Sequence, residues 1–481
     1  MEQAKGFTLN KKYIHVVIMF ILMIGFKFIP PIGGLPPLGM EIIGIFLGMI
    51  WGWSTLGFVL PSIFTVLFLA LSGYTTSTEA LSVGFGDSTT VLIFFLLLFA
   101  AAVEACGLST WLANWLLSRK ITEGRPWVLS FMFLLAAWLM GCLVSLYASI
   151  VLLWSIFLHA CEQVGYKPYD KYPVMMIAGI SVMCNVGAAM LPFKGLSVIY
   201  VRLMGGFYEN FNVNYVQFTV VTVILGLLFL VGFLLFGKYV MKADTSLLTN
   251  TEIFKQHRDD KLTFDQKVIG FLLILMMVML FLPSILPQDS ALYAFINTFG
   301  TYGTPALVVG LFLVWNLNKG RYNFAELIFK GVQWDIIFMF VAIANIGGAL
   351  TSEESGIIAL LKTVLEPLYS GFGTTGFIII SMLIPLVITQ LANNVVVITV
   401  FVPIMCSFME QCGADPYVMT VLGCWILNIA FMTAPASGPA AMIFANKWVD
   451  TKSAYIYGAW VFVLTVVLGL GLGIPLTNLI Y

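Results

Sequence analysis

The chain has 481 residues, of which 60% are apolar and 10% charged, and its formal net charge is zero. A soluble chain carries roughly a quarter charged residues, so a soluble enzyme is excluded, as is a basic nucleic-acid-binding tail, and the composition is that of an all-α polytopic membrane protein. Seven cysteines without a CxxC pair, and three histidines, give neither a disulfide framework nor a metal-ligand cluster.

A short polar stretch, 1–12, precedes an apolar run over 13–29 with no small-residue cleavage site, which predicts a retained first helix. Spanning helices are then predicted over 37–54, 57–72, 89–117, 172–203 (broken), 217–240, 267–286, 300–317, 333–350, 416–446 (broken) and 455–479, about 11 in all. Two further apolar blocks, 127–160 and 374–410, are too long for one span and carry a polar tip, which predicts two re-entrant helix–turn–helix hairpins. The longest polar stretch, Lys242 to Lys267, balances five basic against five acidic residues and separates two halves. Tryptophans near predicted helix ends, such as Trp111, Trp115, Trp127 and Trp334, read as an interfacial belt.

The halves share a pattern of polar breaks. Ser145-Leu146-Tyr147-Ala148-Ser149 interrupts the first half, followed by Asn185-Val186-Gly187 and Pro192-Phe193-Lys194-Gly195. Gln390-Leu391-Ala392-Asn393-Asn394 interrupts the second, followed by Thr433-Ala434-Pro435-Ala436-Ser437-Gly438-Pro439. Ser145 precedes Pro192 by 47 residues and Asn393 precedes Pro439 by 46. Paired Gly/Pro-interrupted apolar segments point to the binding site of a secondary transporter, because irregular backbone survives at membrane depth only where protein buries it or water reaches it.

Basic residues set the expected orientation. With the N-terminus cytoplasmic and the C-terminus extracytoplasmic, 19 of 23 Lys and Arg fall inside, leaving Lys27, Lys194, Arg202 and Lys362. That arrangement requires the two hairpins to enter from opposite sides, so the halves form an inverted-topology repeat.

With these elements the chain resembles the divalent anion/sodium symporter family of the ion transporter superfamily. Typical members carry Ser-Asn-Thr-Ala-Thr at each hairpin tip with a Pro ten residues on; here Asn393-Asn394-Val395-Val396-Val397 precedes Pro403, whereas Ser145-Leu146-Tyr147-Ala148-Ser149 precedes Ser155. Ser437-Gly438-Pro439-Ala440 resembles the family's second helix break, and Pro192-Phe193-Lys194-Gly195 departs from the first. Glu79-Ala80, Phe85-Gly86, Gly107-Leu108 and Trp334-Asp335-Ile336 also resemble the family. The resemblance covers nearly the whole chain and implies a homodimer with elevator-type alternating access. It implies N-terminal scaffold helices over 1–88, a first repeat over 89–241, a cytoplasmic linker over 242–266, scaffold helices over 267–332 and a second repeat over 333–481. The implied cargo is a small anion such as a dicarboxylate, citrate or sulfate, coupled to Na+, and the implied location is a bacterial cytoplasmic membrane.

The residues themselves favour an anion. Helix N-termini at tips and breaks present backbone N–H groups to carboxylate oxygens. Ser145, Ser149, Asn185, Lys194, Asn393, Asn394, Ser437 and Pro439 are the candidate substrate-binding set, with Asn394, Ala436 and Ser437 as a candidate sodium site. Lys194 falls where the resemblance places part of the first sodium site, so its ammonium is expected to replace one coupling ion. Leu146 and Tyr147 stand where the family has Asn and Thr. The competing readings are packing kinks and a Lys194 that snorkels to an interface. Glu41, Glu104, His159 and Arg202 are ionisable residues within apolar segments, and none has an assigned role. An integral-membrane enzyme would need a nucleophile–base or metal motif, and neither HExxH nor GxSxG occurs. A sodium/proton or other cation antiporter is the alternative transporter class, but it calls for acidic residues where this chain has amides, hydroxyls and a lysine.

Overall fold

The computed structural model describes residues 11–208, 211–249, 261–317, 320–369, 371 and 373–481, and among them the secondary structure is helical throughout. The first part comprises α1 (Lys11–Gly25), α2 (Pro37–Thr55), α3 (Val59–Leu71), α4 (Ser77–Gly86), α5 (Ser88–Ala105) and α6 (Leu108–Leu117). A helix pair, α7 (Pro126–Leu143) and α8 (Leu146–Val164), leads to α9 (Lys171–Ala188), α10 (Leu196–Gly205) and α11 (Tyr215–Leu235). Then follow α12 (Phe264–Phe281), α13 (Ala291–Leu317), α14 (Phe324–Gly331), α15 (Trp334–Thr351) and α16 (Ile357–Tyr369). A second pair, α17 (Thr374–Thr389) and α18 (Asn394–Met409), leads to α19 (Pro416–Ile426), α20 (Gly438–Ala445), α21 (Thr451–Val466) and α22 (Ile474–Ile480). Thus a long helix, a shorter helix, a helix pair, a broken helix and a further long helix occur twice in the same order.

Among the described residues, nine helices are long and apolar enough to cross a membrane. The sequence reading differs in its details. The predicted 89–117 span is two helices, because Gly107 adopts φ 71 between them, a left-handed conformation that costs glycine little. The predicted 13–29 helix ends at Gly25 and continues as a single 3-10 turn. The predicted 300–317 helix begins at Ala291 and bends where Gly300 adopts φ 59. Helices α4, α14 and α16 were not anticipated, because they are short and more polar than a span. Residues 250–260 of the predicted linker, and the basic residues Lys5 and Lys319, lie outside the described residues.

The interruption expected at Asn185-Val186-Gly187 is also displaced. α9 runs unbroken to Ala188, and the break occupies 189–195. Gly187 serves packing instead. A Cβ on it would lie 2.0 Å from the Trp138 carbonyl oxygen, and a Cβ on Gly141 would lie 2.0 Å from the Cys184 carbonyl oxygen. These two glycines let α7 and α9 touch backbone to backbone, as small residues do in membrane helix pairs. Every residue of α9 from Tyr172 to Ala188 is buried, so it is the central post of the fold. Of the ionisable residues noted in apolar segments, three are paired: Arg202 Nε donates to Asp87 at 3.0 Å, Glu41 accepts from Lys27 at 3.3 Å, and His159 bonds Gln163 at 2.8 Å.

Overpacking at such a contact costs about 1–3 kcal/mol. Gly141→Ala and Gly187→Ala are therefore expected to lower the detergent unfolding temperature by several degrees. Gly310→Ala, with open space around its Cβ position, is expected to leave it unchanged; equal effects at all three positions would refute the close α7–α9 crossing.

Candidate functional site

The two tips and the two breaks converge. A cavity of about 340 Å³ is lined by Ser145, Leu146 and Tyr147 from the first tip, Asn185, Lys194 and Gly195 around the first break, Asn393 and Asn394 from the second tip, and Asn428, Ser437, Gly438 and Pro439 around the second break. Residues some 250 positions apart in the chain thus share one wall. Of the candidate binding set, Ser145, Asn185, Lys194, Asn393, Asn394, Ser437 and Pro439 are at the cavity. Ser149 is not: it is buried in the first turn of α8 with its hydroxyl donating to the Ser145 carbonyl at 2.6 Å, as helix serines commonly do. Asn394 and Ser437 of the candidate sodium set reach the cavity, and Ala436 does not.

Lys194 organises the first half of the site. Its ammonium donates to the carbonyl of Gly141 at 2.8 Å, to that of Cys142 at 2.6 Å, and to that of Val144. These carbonyls belong to the end of α7 and its cap, where the last four C=O groups of a helix lack intrahelical donors. The helix terminus carries partial negative charge, so a cation is favoured there. An ammonium has three N–H donors, and all three are engaged. The backbone allows this reach because Gly195 sits at φ 59, ψ −141, a region that is essentially glycine's alone.

Amides do the same work in the second half. Asn394 Nδ2 donates to the carbonyls of Leu427 and Asn428, both at 3.0 Å, while Asn394 Oδ1 accepts from Thr389 Oγ1 at 3.0 Å. Asn185 Nδ2 donates across the molecule to the Asn428 carbonyl at 3.0 Å, tying the two broken helices together. Ser437 Oγ donates to the Ala430 carbonyl at 2.7 Å and accepts from Ala440 N at 3.2 Å, so it caps α20. Asn393 Oδ1 accepts from Val395 N at 2.9 Å and caps α18, and among the described residues its amide nitrogen, at the cavity wall, has no hydrogen-bond partner.

Two residues have a place here that the sequence did not assign: Gln390, read only as part of the second polar break, and Asn428. Gln390 is buried behind the second tip; its Oε1 accepts from the N–H groups of Phe431 and Met432 at 3.1 and 3.2 Å, its Nε2 donates to Leu386 at 3.1 Å, and its carbonyl accepts from Thr433 Oγ1. Asn428, 1% exposed, donates from Nδ2 to the Cys424 carbonyl at 2.6 Å, while its Oδ1 faces no donor. A lone Asn within Trp425-Ile426-Leu427-Asn428-Ile429 was the available signal, since intramembrane polar residues usually have a function. Glu104, near the end of α5, also lines the cavity, and its Oε1 is buried without a hydrogen-bond partner.

A convergent cavity between paired broken helices, inside a bundle of membrane-spanning length, is the arrangement in which secondary transporters place their binding sites. A family model described as citrate transporter matches residues 46–422. The chain belongs to that family and is a divergent member of the divalent anion/sodium symporter group. It is similar to solute carrier family 13 member 1 from Homo sapiens, 28% identical over 231 residues; the match covers 43% of this chain and only 38% of the human protein. The fold is similar to the solved YdaH transporter of Alcanivorax borkumensis, with a TM-score of 0.55 at 14% identity over 92% of this chain and 100% of that one.

Leaving a buried N–H without an acceptor costs about 1–3 kcal/mol. Gln390→Met keeps the side-chain volume and strands two N–H groups, so it is expected to lower the unfolding temperature by several degrees in a detergent melt. A melting curve equal to that of the native chain would show that Gln390 does not hold the second break.

Proposed function

We propose that the protein moves a small carboxylate anion across a bacterial cytoplasmic membrane, driven by an ion gradient, with the Lys194 ammonium standing in place of one coupling sodium ion. The observation that carries this reading is the set of three carbonyls around Lys194. Carbonyls at a helix end are the groups that coordinate a transported cation at broken helices. Here a tethered ammonium fills that cage. In the second half the Leu427 and Asn428 carbonyls are likewise met by side-chain amides, although Asn428 Oδ1 leaves one oxygen open to an ion or a ligand.

The anion in this reading sits between the two tips. Backbone N–H groups at the starts of α8, α18 and α20, the Asn393 amide and the nearby Lys194 charge favour a carboxylate there. The pairs α7–α8 and α17–α18 re-enter the membrane from opposite faces and travel with the broken helices against a frame of scaffold helices, in an elevator-type cycle, within a homodimer. The repeated element order and the convergence of tips and breaks on one cavity support this. A cation antiporter is less favoured, because amides, hydroxyls and helix N-termini outnumber carboxylates at the cavity.

Counterflow of a radiolabelled carboxylate into proteoliposomes, in sodium and then in choline, tests the assignment. The native protein is expected to exchange substrate at comparable rates in both salts. Lys194→Met, which leaves three carbonyls without a donor, is expected to lose at least tenfold in choline and to recover part of that loss in sodium. Native exchange that collapses without sodium, or a Lys194→Met variant indistinguishable from native, would refute the replacement of an ion by Lys194.

A further inference from the structure

The cavity's charge and hydrogen-bond capacity point to a narrower cargo than the family name suggests. This inference rests on the carboxylate-transporter reading above. We propose that the site selects a singly charged carboxylate with an apolar body, and that Tyr147 and Glu104 are the residues that exclude di- and tricarboxylates.

The first observation is steric. Tyr147, at the first tip, reaches across to the second break. A Cβ on Gly438 would lie 2.3 Å from the Tyr147 hydroxyl oxygen and 2.9 Å from Cε1 of the ring. The phenol therefore lies directly on the residue that opens α20, and Gly438 has no side chain because the ring occupies that space. A second anionic group held between the first tip and the start of α20 would meet an aromatic ring. Leu146, between Ser145 and Tyr147, adds an apolar side chain to the same wall.

The second observation is electrostatic. Among the described residues, the buried side-chain atoms at the cavity that lack a hydrogen-bond partner are Glu104 Oε1 and Asn428 Oδ1. The Lys194 ammonium has already committed its three donors to carbonyls, and Lys330, the other lysine at the wall, is paired with Glu326 at 2.5 Å. A cargo bearing two or three carboxylates would bring further acceptors to a part of the wall that already has buried acceptors to spare. One carboxylate is accommodated by the Asn393 amide and the α18 N-terminus at the opposite tip.

The third observation is the remaining lining. Leu97, Met276, Met277, Ile336 and Met339 face the same space. Such a surface gains from burying an alkyl or aryl group and offers nothing to a second carboxylate.

Ligand-dependent thermal stability of the purified full-length protein tests this, with phenylacetate, butyrate, succinate and citrate at matched ionic strength. A ligand that binds the folded state raises the melting temperature. Phenylacetate and butyrate are expected to raise it by several degrees, with no shift from succinate or citrate at the same concentration. Tyr147→Thr and, separately, the isosteric Glu104→Gln are each expected to admit succinate or citrate, with at least a tenfold gain in apparent affinity. The Glu104→Gln variant serves if loss of the Tyr147 ring unfolds the tip. Stabilisation of the native protein by succinate or citrate at lower concentration than by the monocarboxylates would overturn this proposal and leave the carboxylate-transporter reading standing. Native selectivity for monocarboxylates that neither variant alters would overturn the roles of Tyr147 and Glu104. A protein stabilised by none of the four would overturn both this inference and the reading beneath it.

Discussion

A helix that stops inside an apolar bundle leaves carbonyls with nothing to accept from, and this fold is built around satisfying them. At the end of α7 the Lys194 ammonium takes three at once. In an apolar interior an unpaired carbonyl or an unpaired ammonium would each cost several kcal/mol. Each is the other's solution. The same pairing explains why a lysine is tolerated in so apolar a chain, where an isolated charge would be expelled toward an interface.

The second half meets the same demand with neutral donors. Asn394, Asn185 and Gln390 place amide hydrogens on the carbonyls of Leu427, Asn428 and Ile429. The two halves therefore share an architecture and differ in chemistry. A charge fixes the first tip to its break, and neutral amide bonds fix the second. Asn185 links them directly, since its donor belongs to the first broken helix and its acceptor to the second. A displacement of either break is felt at the other through that bond.

Close backbone approach makes these contacts reachable. Gly141 and Gly187 bring α7 and α9 together until a methyl group would collide with a carbonyl. Gly423 does the same for α19 against the Tyr200 ring, 2.3 Å from the position its Cβ would take. Lys194 could not span a wider separation between the first break and the α7 terminus, so the glycines and the lysine form one device. Van der Waals packing of small residues supplies the attraction, because lipid tails give membrane helices no hydrophobic reason to associate.

Much of this was legible in the residues alone. Apolar runs of spanning length, the two split blocks and the matched breaks come from hydropathy, which responds only to local composition. The second tip was legible because Asn393 and Asn394 stand in an otherwise apolar run, and Lys194 because a charge there demands a partner. Other features depended on which atoms meet. The sequence read Gly187 as a break, but its neighbour is Trp138, 49 positions earlier, and only packing reveals that its lack of a side chain serves a crossing. Ser149 looked like a ligand and turned out to serve its own helix. Asn428, Gln390 and Glu104 acquired meaning only when the two halves closed on a common cavity. The sequence by itself determined that this chain lives in a membrane with paired helix breaks, because burial in lipid is a demand each segment meets alone. The tertiary structure decided which carbonyl each donor satisfies and which acceptors remain open at the cavity, because hydrogen-bond partners some 250 residues apart are set by geometry that no local pattern encodes.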